Sequence, residues 1–248
     1  MRRFATLLAF GVALWVPSIG RSATLDVQNV TGGFDVLAAA SGATFSGEGT
    51  GDLDWGLQIA GQGQSGYSFA GALPGSHETE TDFILGTFTH HNQPIVAGTS
   101  ITRARLDLTI NLVLAGQART ATASVDVAHW ETSNGGQAGG LCADGGANFA
   151  GVNVNGCADR VQLLDVIEVD DEFVLGNVVY ALQVTGFLQN GEIVPQFWTS
   201  ERQDNSAVIM GRFVWLRDIA PVPLPAAGWL LLAAISGLGW AGRHKRKD

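Results

Sequence analysis

The chain has 248 residues, with 14 Lys plus Arg, 23 Asp plus Glu, 33 Gly and a formal net charge of −9. Three basic residues sit at the start and four at the end, so the stretch between holds seven, all Arg, against 22 acids, and lies near −15. Such a surface repels nucleic acid and anionic lipid, which excludes both as partners of the central region; it suits solubility outside a cell and leaves room for a bound cation.

Residues 1–22 read as a signal peptide. Met1-Arg2-Arg3 is a charged start, Phe4 to Val16 an apolar run, and Pro17-Ser18-Ile19-Gly20 a small-residue exit. The apolar run is too short for an ordinary membrane span. The mature chain is expected to begin between Arg21 and Thr24. Arg2-Arg3 lacks the rest of a twin-arginine pattern, which favours ordinary secretion.

Residues 23–220 are expected to form one all-β domain, an antiparallel β-sandwich or jelly roll. Strands are expected at Thr24–Val30, Leu53–Ala60, Tyr67–Phe69 and Asp82–Phe88. The clearest period-two segment is Ile101 to Ala115, where Ala104, Leu106, Leu108, Ile110, Leu112 and Leu114 face one way and Arg103, Arg105, Asp107, Thr109 and Asn111 the other. Ala118 to Trp130 repeats the pattern with Ala121, Ala123, Val125 and Val127, and Gly116-Gln117 between them reads as a hairpin turn. Further strands are expected at Arg160–Val169, Val178–Leu188 and Ala207–Leu216. No amphipathic helix and no internal repeat stand out, and many short strands joined by Gly-rich turns fit a sandwich.

Glu131 to Gly156 is rich in Gly, Asn and Ala and resists a strand reading. It leads into a cysteine pair, Cys142 and Cys157, the only cysteines of the chain. In an oxidising compartment two cysteines this close read as a disulfide, worth roughly 3 kcal/mol for a loop of about 16 residues. A metal thiolate site would need more ligands at set spacings.

Thr89-His90-His91-Asn92 follows an expected strand and precedes Pro94. In one reading His90 and Asn92 belong to a ligand or metal site, with imidazole as a neutral donor. In the favoured one Thr89 and Asn92 bond turn backbone and His90 packs half-buried beneath a loop. Adjacent residues of an extended chain point to opposite faces, so His90 and His91 do not share an ion. Asp52 and Asp54 flank Leu53 beside Trp55, and Asp165, Glu168, Asp170, Asp171 and Glu172 form an acidic run whose end reads as a solvated turn. Neither matches a Ca²⁺ loop. Asp144 and Asp159, near the cysteines, are the weak candidates for a Ca²⁺ ion, and no other cofactor is called for. Gly63-Gln64-Ser65-Gly66-Tyr67 resembles a nucleophile elbow only superficially, since Tyr67 stands where Gly is required. No zinc protease motif, phosphate loop or dinucleotide fingerprint occurs. Scattered carboxylates leave a hydrolase as one alternative, and Trp55, Trp130 and Trp198, if they lie near strand ends, leave sugar stacking as another.

Residues 221–248 close the chain: Val222-Pro223-Leu224-Pro225-Ala226, an apolar run to Gly242, then Arg243-His244-Lys245-Arg246-Lys247-Asp248. A helix of about 17 residues spans roughly 25 Å, enough for a thin bilayer. Trp229 and Trp240 mark its ends, and the basic cluster should stay cytoplasmic. This tail closely resembles the PEP-CTERM sorting signals in their VPLPA-CTERM variant. The resemblance implies a Gram-negative envelope protein, an exosortase-type membrane protease as partner, transient anchoring in the inner membrane, and a link to extracellular polysaccharide. Leu85 to Ile95, with its Thr89-His90-x-Asn92 element, resembles the THxN family of PEP-CTERM proteins and the related choice-of-anchor K domains. Trp55-Gly56, Gln64-Ser65, Glu131-Thr132-x-Asn134, Asn153 to Asp159 and Gly186-Phe187 extend the likeness in order. It implies no particular activity. The function expected is that of an exported structural or adhesive surface protein, not an enzyme, with a carbohydrate-binding module, Ca²⁺-dependent or not, as the alternative.

Overall fold

The computed structural model describes residues 23–59, 61–114, 116–136, 140–164 and 172–220. The expected signal peptide and sorting tail lie outside them, as do Ala60, Ala115 and the acidic positions 165–171. Among the described residues no helix is long and apolar enough to cross a membrane.

The chain forms β1 (Thr24–Ala39), β2 (Phe45–Ser46), β3 (Asp52–Trp55), β4 (Ser65–Gly71) and β5 (Gly75–Glu78). There follow β6 (Phe83–Asn92), β7 (Ile101–Leu114), β8 (Gln117–Trp130) and, after a single 3₁₀ turn at Gly151–Asn153, β9 (Asp159–Leu164). The rest is β10 (Glu172–Leu175), β11 (Val178–Gln189), β12 (Glu192–Val194), β13 (Gln196–Thr199) and β14 (Gln203–Asp218). Two antiparallel sheets result. One runs β13-β9-β8-β7-β1-β5; the other runs β10-β11-β14-β6-β4-β3-β2, with β12 paired to β11. The all-β expectation holds, and the architecture is that of a β-sandwich.

The hairpin β7–β8 forms as its alternation predicts. Ala104, Leu106, Leu108, Ile110 and Leu112 are buried opposite Val127, Val125, Ala123, Ala121 and Arg119. Gly116 turns the chain at φ 77°, a left-handed conformation that favours glycine. Inward side chains of both sheets meet in one core, where Phe88 contacts Phe34 and Phe187 edge-on at ring distances of 5.8 and 5.6 Å.

Strand β6 carries the feature that places the site. Phe83 and Leu85 point into the core, yet beyond them the buried positions are Phe88, His90 and Asn92. The switch from odd to even coincides with a bulge: β14 pairs Ile209 with Gly86 and the adjacent Met210 with Ile84, leaving Leu85 without a partner on that side. An extra residue reverses which face later side chains occupy.

Several expectations need correcting. Thr89 to Asn92 lies inside β6 and not after it. Thr89 Oγ1 bonds Ser206 Oγ at 2.8 Å and not a turn backbone, while His90 is fully buried, not half. The strand expected at Leu53–Ala60 stops at Trp55 because Gly56 adopts φ 87° against Ile95. Glu172 opens β10, bonded to Arg217 across a distance of 2.6 Å, where a turn was expected.

A Cβ on Gly86 would lie 2.5 Å from the Ala70 carbonyl oxygen and 2.5 Å from the Phe69 ring, whereas one on Gly135 would meet nothing within 4 Å. Gly86→Ala should therefore cost about 1–3 kcal/mol, read as a lower urea midpoint, with Gly135→Ala near the parent. Equal midpoints would show that the bulge tolerates a side chain.

Candidate functional site

The bulge brings His90 and Asn92 to one end of the sandwich interior. The alternation of β8 carries His129 to the same place from the opposite sheet, and Asp159 enters as the first residue of β9. His90, Asn92, Asp159 and Glu201 have no exposed surface; Glu201 comes from the turn between β13 and β14. Glu131, just past β8, is about a quarter exposed, at 23%.

Aromatic rings frame this polar group. Trp55 stacks on His90 at 5.7 Å and meets His129 edge-on at 5.1 Å. Tyr67 packs against both imidazoles, and its Oη bonds His129 Nδ1 at 2.8 Å. His90 Nδ1 bonds Thr199 Oγ1 at 2.9 Å. The Thr199 hydroxyl donates to the Asp159 carbonyl at 3.2 Å, so it accepts from His90. In that arrangement the proton sits on Nδ1 and Nε2 of His90 is a bare lone pair. Asn92 Nδ2 donates to the Thr199 carbonyl at 3.0 Å. Asp159 Oδ1 accepts the Thr132 amide at 2.6 Å, while its Oδ2 has no donor.

Orphan polar atoms concentrate here. Trp55 Nε1, His90 Nε2, Asn92 Oδ1, Asn134 Oδ1, Asp159 Oδ2 and both Glu201 carboxylate oxygens make no hydrogen bond with the protein. The Asn134 side chain lies near enough to oppose the Glu201 shift, but closes no well-formed hydrogen bond on either oxygen. No Arg among the described residues pairs with Glu131, Asp159 or Glu201. Ligand atoms of His90, His129 and Asp159 lie within 4.8 Å of one another, and so do those of Glu131, Asp159 and Glu201.

The electrostatics follow. Burial, with the neighbouring His129, holds His90 well below the usual imidazole range, and burial brings His129 down to about 4 despite the nearby Asp159. Both rings are neutral at pH 7. Burial pushes Glu131 and Glu201 up to about 7, and Asp159 is raised by burial and by Glu131. Three carboxyls crowded without a cation resist carrying three charges.

A surface pocket of ≈560 Å³ opens onto this group, lined in part by Ser100, His129, Trp130, Glu131, Thr132 and Asn134. Trp130 is 46% exposed, with the Arg160 guanidinium 4.4 Å from its ring centre.

The residues singled out in the sequence fare differently. His90 and Asn92 face inward; Thr89 faces outward, as does His91, which bonds Ser68 Oγ and Asp204 at 2.9 and 2.7 Å. Asp159 belongs to the buried group. Asp144 does not: its Oδ1 accepts from the Gly146 amide and Asn153 Nδ2, each at 3.0 Å. Cys142 and Cys157 form a disulfide, Cα to Cα 5.2 Å. Trp55 is core and offers no sugar platform. Ser65 is a strand residue that donates to the Gln93 carbonyl at 2.7 Å and accepts its amide at 3.1 Å, so no nucleophile elbow exists. The sorting motif Val222, Pro223, Leu224, Pro225 and Ala226 lies outside the described residues. Sequence reasoning missed Tyr67, His129, Glu131 and Glu201. The alternation of Ala121 to Val127 already pointed His129 inward; Glu201 carried no signal. No protein-family model matches the chain, and no curated protein matches it.

Glu201 binds its proton more tightly folded than unfolded. Its contribution to stability is full below about pH 4.5 and is lost as the pH rises through about 7. The amide of Glu201→Gln has no such proton to lose. In chelator, this variant should therefore gain in Tm relative to the parent between pH 4.5 and 7, with a constant difference above. A pH-independent difference would show that Glu201 ionises normally.

Proposed function

We propose that this chain is an exported envelope protein of structural or adhesive kind, sorted through its VPLPA-type tail and released from the inner membrane by an exosortase-type protease. The observation that carries this reading is the Cys142–Cys157 bond closing a loop of the domain. Disulfides of this kind persist in oxidising compartments, where the charged start and apolar run of residues 1–22 would deliver the chain. The acidic domain surface agrees with a place at the cell surface or in its matrix. A non-catalytic role is supported by the closed setting of the carboxyls at this pocket: Asp159 and Glu201 are sealed, so Glu131 is the one carboxyl among the described residues that lines it.

A second reading, carbohydrate binding, is favoured by Trp130. Its ring is exposed at the mouth of the ≈560 Å³ pocket, beside Glu131 and Asn134, and an aromatic face next to hydrogen-bonding groups suits a sugar.

The intact mass of the protein from its own host should end near Val222–Ala226. Retention of Trp240 to Asp248 would make it a permanently anchored protein and remove the sorting reading. On a glycan array, sugar binding lost in Trp130→Ala would support the second reading, and a blank array with and without Ca²⁺ would remove it.

A further inference from the structure

We propose that His90, His129 and Asp159 form a binding site for one first-row divalent transition metal ion, Zn²⁺ fitting best, that ties the two sheets together. This goes beyond the surface-protein reading and stands or falls without it.

The geometry has the marks of a built site. Each of the three buried donors is held on one atom by a partner; the other atom is free on His90 and Asp159, and on His129 it makes only a long contact to Glu131. Thr199 Oγ1 accepts a hydrogen bond from His90 Nδ1–H, which leaves Nε2 free. Tyr67 Oη holds His129 at Nδ1. The Thr132 amide holds Asp159 at Oδ1 and frees Oδ2. Orienting bonds of this sort on the far atom of a ligand are what metal sites use to fix ring and carboxylate. His90 Nε2 and Asp159 Oδ2 are then buried and unpartnered, and a ligand atom of each of His90, His129 and Asp159 lies within 4.8 Å of the others.

His129 Nε2 and Glu131 Oε2 lie 3.3 Å apart. That is long for a hydrogen bond. Glu131 reaches Asp159 and Glu201 within 4.8 Å, so it borders the His90–His129–Asp159 set and is not counted among its ligands. Two imidazoles with a carboxylate make a nitrogen–oxygen set, which Zn²⁺ and its neighbours accept and Ca²⁺, an oxygen-seeking ion, does not. The charge also fits. A divalent ion offsets the buried Asp159 carboxylate, with which no Arg among the described residues pairs. The pocket that Glu131 lines lies just outside the site, whose imidazoles and Asp159 are themselves buried.

The ligands come from both sheets: His90 from β6, His129 and Asp159 from β8 and β9. The ion would therefore brace the sandwich at the end where Trp55 and Tyr67 close the core.

The test uses the full chain purified in detergent without chelator. Metal analysis should find about one Zn²⁺ per chain. Dialysis against EDTA should lower Tm by about 5–10 °C, the shift expected for a ligand near a hundredfold above its Kd, and ZnCl₂ should restore it where CaCl₂ does not. His90→Gln and Asp159→Asn should each weaken Zn²⁺ binding by more than about a hundredfold. Should those core variants fail to fold, Co²⁺ added to the unmutated apo-protein gives the answer. Two paramagnetically shifted imidazole N–H resonances would support the site. No Tm response to Zn²⁺ or Co²⁺ would leave a water-filled polar cavity and overturn the proposal. Ca²⁺ binding alone would place the ion among Glu131, Asp159 and Glu201 and overturn the imidazole assignment.

Discussion

One extra residue in one strand decides the character of this domain. Had β6 kept its alternation from Phe83 and Leu85, positions 87, 89 and 91 would face the core and His90 and Asn92 the solvent. The bulge at Leu85 reverses this. The bulge itself rests on Gly86, whose missing side chain lets the Ala70 carbonyl and the Phe69 ring approach. Because β6 sits between β14 and β4 in the middle of its sheet, its face is set by both neighbours at once. The change of face therefore carries an imidazole and an amide into the interior, opposite His129 and Asp159 of the other sheet.

Burying that polar group runs against the usual economy of a β-sandwich core. An unpaired buried polar atom costs about 1–3 kcal/mol, and several lie together here. Two features offset part of the burden. The first is the aromatic frame: Trp55 and Tyr67 pack on both imidazoles, so the rings keep full van der Waals contact and keep water away from their faces. The second is protonation. With both histidines neutral and the carboxyls raised toward neutrality, the buried group carries less charge than the same side chains would in water. Neither feature supplies partners for His90 Nε2, Asp159 Oδ2 or the Glu201 oxygens, and a bound cation would complete His90 and Asp159.

Much of the scaffold was legible because long strands advertise themselves. β7 and β8 run for 14 residues each, with alternation unbroken over most of their length, and their registry follows from it. Strands β5, β12 and β13 have three or four residues, too few for a period to show, and β10 begins with a charge. The site was legible only in fragments. The Thr89-His90-x-Asn92 element stands out in the sequence, but its expected place was a turn, because a single glycine, Gly86, is the bulge's one trace and His and Asn read as surface. Asp159 was noticed for the wrong neighbour, Asp144. His129 followed from the pattern of its own strand. Glu201 sits in a turn 42 positions beyond Asp159 in sequence, and tertiary folding alone makes them neighbours.

The disulfide loop and the buried group are one construction. The segment between β8 and β9 starts with Glu131, Thr132 and Asn134 and ends with Cys157, Ala158 and Asp159, so both of its ends are site residues. Thr132 stitches them together: its hydroxyl lies 3.0 Å from the carbonyls of Cys157 and Ala158, and its amide bonds Asp159. Asn155 Nδ2 ties the same loop to the Glu201 carbonyl at 3.0 Å. Within the loop, Asn153 Oδ1 receives the Ala158 amide at 2.8 Å, and the Cys142–Cys157 bond closes a sequence separation of 15. A Gly- and Asn-rich segment of this length has little other means of limiting its freedom. Closing the disulfide lowers the entropy the chain loses when Glu131 and Asp159 meet. The polar group is thus best ordered where thiols are oxidised.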